Sequence, residues 1–174
     1  MPHSKKLQFI LNKLYELNPD KIELKLDRVF RLNQDLGNPH KKLKNVITVT
    51  GTNGKGGTAF YLKEMLIAHG YSVALFQSPF LYDFLTRFLI NNKPLEEEKF
   101  INYVIEVDKA NNNQDITFFE YITCIAFKAF ADANCDYNIM ETGLGGKFDS
   151  TNVDYDYLIT QIPVSYTHLT LPTN

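Results

Sequence analysis

Leu7, Ile10, Leu11, Leu14 and Leu17 recur at three- and four-residue steps behind Ser4, a spacing that predicts an amphipathic helix capped by that serine. Asn18-Pro19-Asp20 should end it. A second helical pattern carries Leu26, Val29 and Phe30 through Gln34 to Leu36 and stops at Gly37-Asn38-Pro39, a glycine-then-proline terminus. The periodicity then changes. Val46-Ile47-Thr48-Val49-Thr50 is β-branched throughout and bounded by Gly51, which predicts a buried strand. Helical spacing returns from Thr58 to His69 through Ala59, Leu62, Met65 and Leu66, with Gly70 as the stop, and Ser72-Val73-Ala74-Leu75-Phe76 reads as a second strand. Strand, glycine-rich turn, helix and strand make a βαβ unit, and such a crossover implies parallel pairing.

Past Pro94, Glu96, Glu97 and Glu98 stand where a helix N-terminus favours negative charge, and Phe100, Val104 and Val107 mark a helical face that ends near Asn111-Asn112-Asn113. Thr117-Phe118-Phe119-Glu120 fits a capping box, and the helix behind it buries Ile122, Ile125, Ala126, Ala129 and Phe130. Tyr137-Asn138-Ile139-Met140 predicts a third strand and Tyr157-Leu158-Ile159-Thr160 a fourth. The expected architecture is α/β, a mostly parallel sheet flanked by helices.

The 174 residues suit one domain, and 44% hydrophobic with 22% charged residues excludes disorder. Eighteen basic against twenty acidic side chains leave a net charge of −2, which offers nothing to a nucleic acid or a membrane surface. No apolar run reaches the ~20 residues of a membrane helix, and the N-terminus leads into an amphipathic stretch rather than a secretory segment. Cys124 and Cys135 have no metal-ligand spacing, nor do His3, His40, His69 and His168, so a reduced, cytoplasmic protein is expected.

The strongest chemical signal is Gly51-Thr52-Asn53-Gly54-Lys55-Gly56-Gly57-Thr58, between a buried strand and a helix. Phosphate binding needs inward N–H groups, a chain free to take positive φ and a nearby cation, and this stretch supplies all three. It is not an ordinary Walker A motif, since Val49 rather than glycine stands six residues before Lys55. Glu141 ends a strand at the sheet's carboxyl edge, where a carboxylate can hold Mg²⁺ or simply face solvent before the Gly143-Leu144-Gly145-Gly146 turn. That turn lacks the dinucleotide-binding pattern. Ser78-Pro79 follows a strand and on its own reads as a turn, Phe118 and Phe119 as core, Glu120 as a cap, and Asp149-Ser150-Thr151-Asn152 as a polar loop.

In this order these motifs resemble the folylpolyglutamate synthase/dihydrofolate synthase family of the Mur-ligase superfamily. The likeness runs from about Leu24 to Gln161. It rests on Gly51 to Gly56, Ser78-Pro79-Phe80-Leu81, Arg87 to Asn91, Thr117 to Glu120, and Glu141 to Asn152. The resemblance implies a P-loop NTPase-like sheet, an incomplete Mur-ligase central domain, and a cytoplasmic, monomeric parent ligase of greater length. That enzyme would use ATP to activate a folate or dihydropteroate carboxylate as an acyl phosphate, which L-glutamate then attacks. By the same resemblance Thr52, Asn53, Gly54, Lys55 and Gly56 would hold ATP, Ser78 and Glu141 Mg²⁺, with Lys55 and Glu141 catalytic. Phe119, Asp149, Glu23 and Leu24 would contact the acceptor.

Two departures from the family pattern stand out. Gly57 replaces a usual Ser or Thr, and His168 is out of register with a metal-binding histidine of the family. Residues 1–161 therefore read as the N-terminal part of the ATP-binding domain, and 162–174 as a tail foreign to it. On this reading the chain alone should be inactive and poorly stable, with an exposed sheet edge. The alternatives are a nucleotide-binding module without ligase activity, another Mur-type amide ligase, and a small P-loop kinase.

Overall fold

The computed structural model describes residues 3–17, 25–80 and 83–153. The expected fourth strand at 157–160 and the tail lie outside them, as do Glu23 and Leu24. Helix α1 covers Lys5–Tyr15, with the Ser4 hydroxyl oxygen accepting the Leu7 N–H at 3.1 Å. Helix α2 covers Asp27–Asp35, and a short 3₁₀ turn follows over Pro39–Lys42. Then come β1 (Val46–Val49), α3 (Lys55–Ala68), β2 (Val73–Phe76), a 3₁₀ turn (Phe84–Arg87), β3 (Phe88–Ile90) and β4 (Lys93–Pro94). Helices α4 (Glu97–Asn111) and α5 (Phe118–Ala133) precede β5 (Tyr137–Glu141).

The strands form one sheet in the order β1-β5-β2-β3-β4. The pairs β1–β5 and β5–β2 are parallel, while β3 and β4 add an antiparallel hairpin at one edge. The expected α/β sheet flanked by helices is present, and the hairpin is an addition that strand periodicity did not reveal. Three-residue β3 is too short to show alternation, and its turn, Asn91-Asn92, carries positive φ at both residues (49° and 66°), as a two-residue hairpin requires. Every non-glycine residue with positive φ among those described is asparagine, including the α4 and α5 C-caps Asn112 and Asn134. Asparagine tolerates the left-handed region better than other side chains, and here it ends helices where glycine would be usual.

Alternation along the central strands sorts the core into two layers. Ala74, Phe76, Phe88 and Met140 face a large cluster that also contains the apolar sides of α1, α2, α4 and α5. Val49, Val73, Leu75, Leu89 and Ile139 face a smaller one beneath α3. Val73 to Phe76 are fully buried, as expected of a parallel strand covered on both faces. On its outer side α3 leaves Phe60, Tyr61 and Met65 exposed. Among the described residues no helix is long and apolar enough to cross a membrane.

Candidate functional site

Because β1, β5 and β2 run parallel, their carboxyl ends reach the same edge, where ligands of open α/β sheets bind. Register places Val49 beside Glu141 and Phe76 beside Met140. Thr50, Thr142 and Gln77-Ser78 therefore leave the sheet together.

The glycine-rich loop joins β1 to α3 at this edge. Helix α3 begins at Lys55, three residues before the expected Thr58, because Gly54 takes the left-handed conformation (φ 78°) and starts the helix directly. Glycines 56 and 57 are poor helix formers, so propensity placed the start too late. Gly54 supplies no side-chain cap, which leaves the first-turn N–H groups of α3 for a ligand. Thr52, Asn53 and Gly54 are exposed. The Lys55 ammonium folds back over the loop and donates to the Gly51 carbonyl at 2.9 Å. Gly57 has nothing within 4 Å of a would-be Cβ, so packing does not exclude the hydroxyl residue common in the family pattern.

Glu141 meets this loop from the centre of the sheet. It is only 3% exposed, and the Ser78 N–H donates to its Oε2 at 2.9 Å. A Cβ on Gly56 would lie 3.6 Å from each carboxylate oxygen, so the missing side chain keeps the acid open toward the loop. Burial pushes the Glu141 carboxyl above its ordinary range, opposed by the Ser78 N–H and by the charges of Lys55 and Arg87. Beside it the Thr142 hydroxyl is buried without a hydrogen-bond partner. The Glu141 carboxylate, facing the cleft, is a hard oxygen donor of the kind a divalent cation takes. Among the described residues no group of three acidic, histidine or cysteine side chains gathers here or elsewhere. An open cleft of about 830 Å³ runs from Glu141 and Ser78 along α3, lined by Gly56, Phe60, Thr86 and Leu89.

The predicted capping box opens α5 as expected: Thr117 accepts the Glu120 N–H at 3.3 Å and Glu120 accepts the Thr117 N–H at 2.8 Å. Sequence spacing did not show that Glu120 also takes Arg28 through Nε at 2.9 Å, which anchors α5 to α2. This brings Phe119, half-buried, to 5.9 Å from the Phe76 ring and directly beneath Gly143. Asp149 lies nearby and is 5% exposed. Its Oδ2 accepts the N–H groups of Gly143 and Leu144, both at 2.9 Å, and its Oδ1 accepts the N–H and hydroxyl of Thr151. All four acceptor positions of the carboxylate thus hold its own loop together. The Thr50 hydroxyl donates to the Gly145 carbonyl, which ties that loop to the phosphate loop.

A Cβ at position 143 would stand 2.8 Å from Phe119 Cζ, closer than side-chain carbons approach. Gly143→Ala is therefore expected to cost on the order of 1 kcal/mol in denaturant unfolding, as overpacking does. Adding Phe119→Leu should recover most of that loss. Additive effects of the two changes would show that the contact carries no strain.

No family model matches the chain. It is 40% identical over 134 residues to the dihydrofolate synthetase of Saccharomyces cerevisiae, a match covering 76% of this chain and 31% of that one. It is 37% identical over 157 residues to a dihydrofolate synthase/folylpolyglutamate synthase of Bacillus subtilis, covering 86% and 36%. Among solved structures, E. coli FolC in complex with DHPP and ADP superposes with a TM-score of 0.80 at 36% identity, covering 87% of this chain and 37% of FolC. A bifunctional folylpolyglutamate synthase/dihydrofolate synthase with Mn, AMPPNP and L-glutamate bound gives 0.77 at 34% identity, covering 84% and 35%. The chain thus spans about a third of the length of the curated relatives it matches.

Proposed function

Since this chain belongs to the folylpolyglutamate synthase/dihydrofolate synthase family, we propose that it forms the nucleotide- and metal-holding part of an ATP-dependent ligase. The enzyme joins L-glutamate to the carboxylate of a folate or dihydropteroate acceptor. The observation that carries this reading is the meeting of the phosphate loop with a buried carboxylate, a Cβ on Gly56 being only 3.6 Å from each Glu141 oxygen.

In this reading Thr52, Asn53, Gly54, Lys55 and Gly56 hold the ATP phosphates, through α3 N–H groups and the Lys55 ammonium. Phosphoryl transfer depends mostly on positioning and neutralisation of charge, both of which a rigid helix N-terminus and a nearby ammonium supply. Ser78 and Glu141 hold Mg²⁺, which when bound neutralises charge on the transferred phosphoryl group. The γ-phosphoryl group passes to an acceptor carboxylate oxygen and ADP leaves. The glutamate amine then attacks the acyl carbon, loses a proton and displaces phosphate. Phe119 offers the acceptor's ring system an aromatic face, and the loop that Asp149 organises borders it. Asp149 itself touches the acceptor only by giving up one of its loop hydrogen bonds. The two buried thiols, Cys124 and Cys135, suit a reducing cytoplasm.

The full-length protein that carries this chain tests the proposal. Phosphate release should require nucleotide, a divalent cation, a pteroate acceptor and L-glutamate together. Release that is indifferent to glutamate would instead mark a nucleotide hydrolase, and failure to bind ADP in calorimetry would remove the reading altogether.

A further inference from the structure

Arg87 ends the 3₁₀ turn before β3, and its carbonyl accepts the Gln77 N–H at 3.0 Å, one residue from Ser78 at the candidate metal edge. It is 6% exposed. Its Nε and Nη1 are buried without a hydrogen-bond partner. The guanidinium carbon lies 5.1, 5.5 and 5.7 Å from the ring centroids of Phe80, Phe84 and Phe118, the last of them adjacent in sequence to Phe119. Rings stabilise a cation but leave its N–H donors unmet, and a buried unpaired charge is costly. Burial accordingly pushes the pKa of the Arg87 side chain below its ordinary range, while the nearby Tyr15 phenol and Glu141 carboxylate oppose that shift. A side chain held at such a cost beside a candidate reaction site calls for an anionic partner that arrives from outside.

We propose that Arg87 is the acceptor-carboxylate anchor of this site, its free donors binding the aryl carboxylate that is to be activated while the surrounding phenyl rings enclose the attached aromatic ring. The inference rests on the ligase reading above and adds to it a residue for the reacting end of the acceptor. Lys55, Ser78 and Glu141 would hold phosphate and metal near that carboxylate, and Arg87 would bind its oxygens. A planar guanidinium matches a planar carboxylate, whereas a lysine at this position would act as a point charge.

The test uses the full-length protein carrying this chain, with two ligands: pteroate, and the same pterin–aniline skeleton lacking its carboxyl group. Arg87→Met should weaken pteroate binding roughly 10- to 100-fold, the scale of hydrogen bonds to charged groups, and leave the decarboxylated ligand within about twofold. Arg87→Lys should fall between. Because methionine removes an unpaired buried charge at similar length, Arg87→Met should unfold at the same or a higher temperature. Equal losses for both ligands with a lowered unfolding temperature would make Arg87 a structural residue and overturn the inference. Unchanged pteroate binding would overturn it as well. Wild-type protein that binds ADP but neither ligand would instead overturn the acceptor reading on which it rests.

Discussion

Lys55→Ala is expected to lose nucleotide affinity by about two orders of magnitude, with the fold unchanged. In the folded chain the ammonium makes one described hydrogen bond, to the Gly51 carbonyl at 2.9 Å, on a loop whose other members are largely exposed. Removing that contact costs little stability. What disappears is the cation beside the open N–H groups of α3, and hydrogen bonds to charged groups contribute up to ~3 kcal/mol, roughly a hundredfold in affinity. Calorimetric titration with ADP, alongside thermal unfolding, separates the two effects. Unchanged affinity would show that the lysine serves only to close its own loop.

Glu141→Gln is expected to lose divalent-cation binding and, in metal-free protein at neutral pH, to raise the unfolding temperature. Both halves follow from burial. The carboxylate is 3% exposed, and burial raises its pKa more than the Ser78 N–H, Lys55 and Arg87 lower it. The folded protein therefore takes up this proton more readily than the unfolded chain does. Stability linked to the protonated form is fully present below the unfolded pKa, near 4.5, and is lost as pH rises through the higher folded value. Glutamine keeps an acceptor for the Ser78 N–H and carries no charge, so its advantage should be seen at pH 7 and vanish in acid below that range. A bound cation reverses the balance by giving the buried charge its partner. Titration with Mn²⁺, and unfolding at pH 7 and at acid pH, read the two halves. Wild-type metal affinity in the variant would make Glu141 a bystander, and a lowered unfolding temperature at neutral pH would show that its charge is already compensated within the chain.

Much of the fold was legible because its signals are local. Ser4 and Thr117 cap the helices that their positions announce, and Thr117-to-Glu120 spacing yields a complete capping box. Strands β1, β2 and β5 appear where β-branched and apolar runs predicted them, within a residue at each end. The hairpin of β3 and β4 escaped, because five strand residues around Asn91-Asn92 carry too short a pattern, and only the pairing of β3 with β2 and of β4 with β3 makes them strands. The start of α3 was misplaced for a related reason. Its first turn contains two glycines, and the left-handed Gly54 rather than any propensity begins it.

By itself, the sequence determined most of the elements, their caps, the shared direction of β1 and β2, between which the structure inserts β5, and the loop whose glycines and lysine suit phosphate. Each depends on residues a few positions apart, whose interactions form in any context that lets the chain turn or coil. Tertiary structure alone decided what those residues do for one another. It laid Gly56 against Glu141 across 85 positions, drew all four acceptor positions of Asp149 into its own loop, and set Phe119 beneath Gly143. It also buried Arg87 among three phenyl rings, where composition would have placed an arginine in water. Burial and charge pairing are properties of the packed sheet edge, and no window along the chain contains both partners.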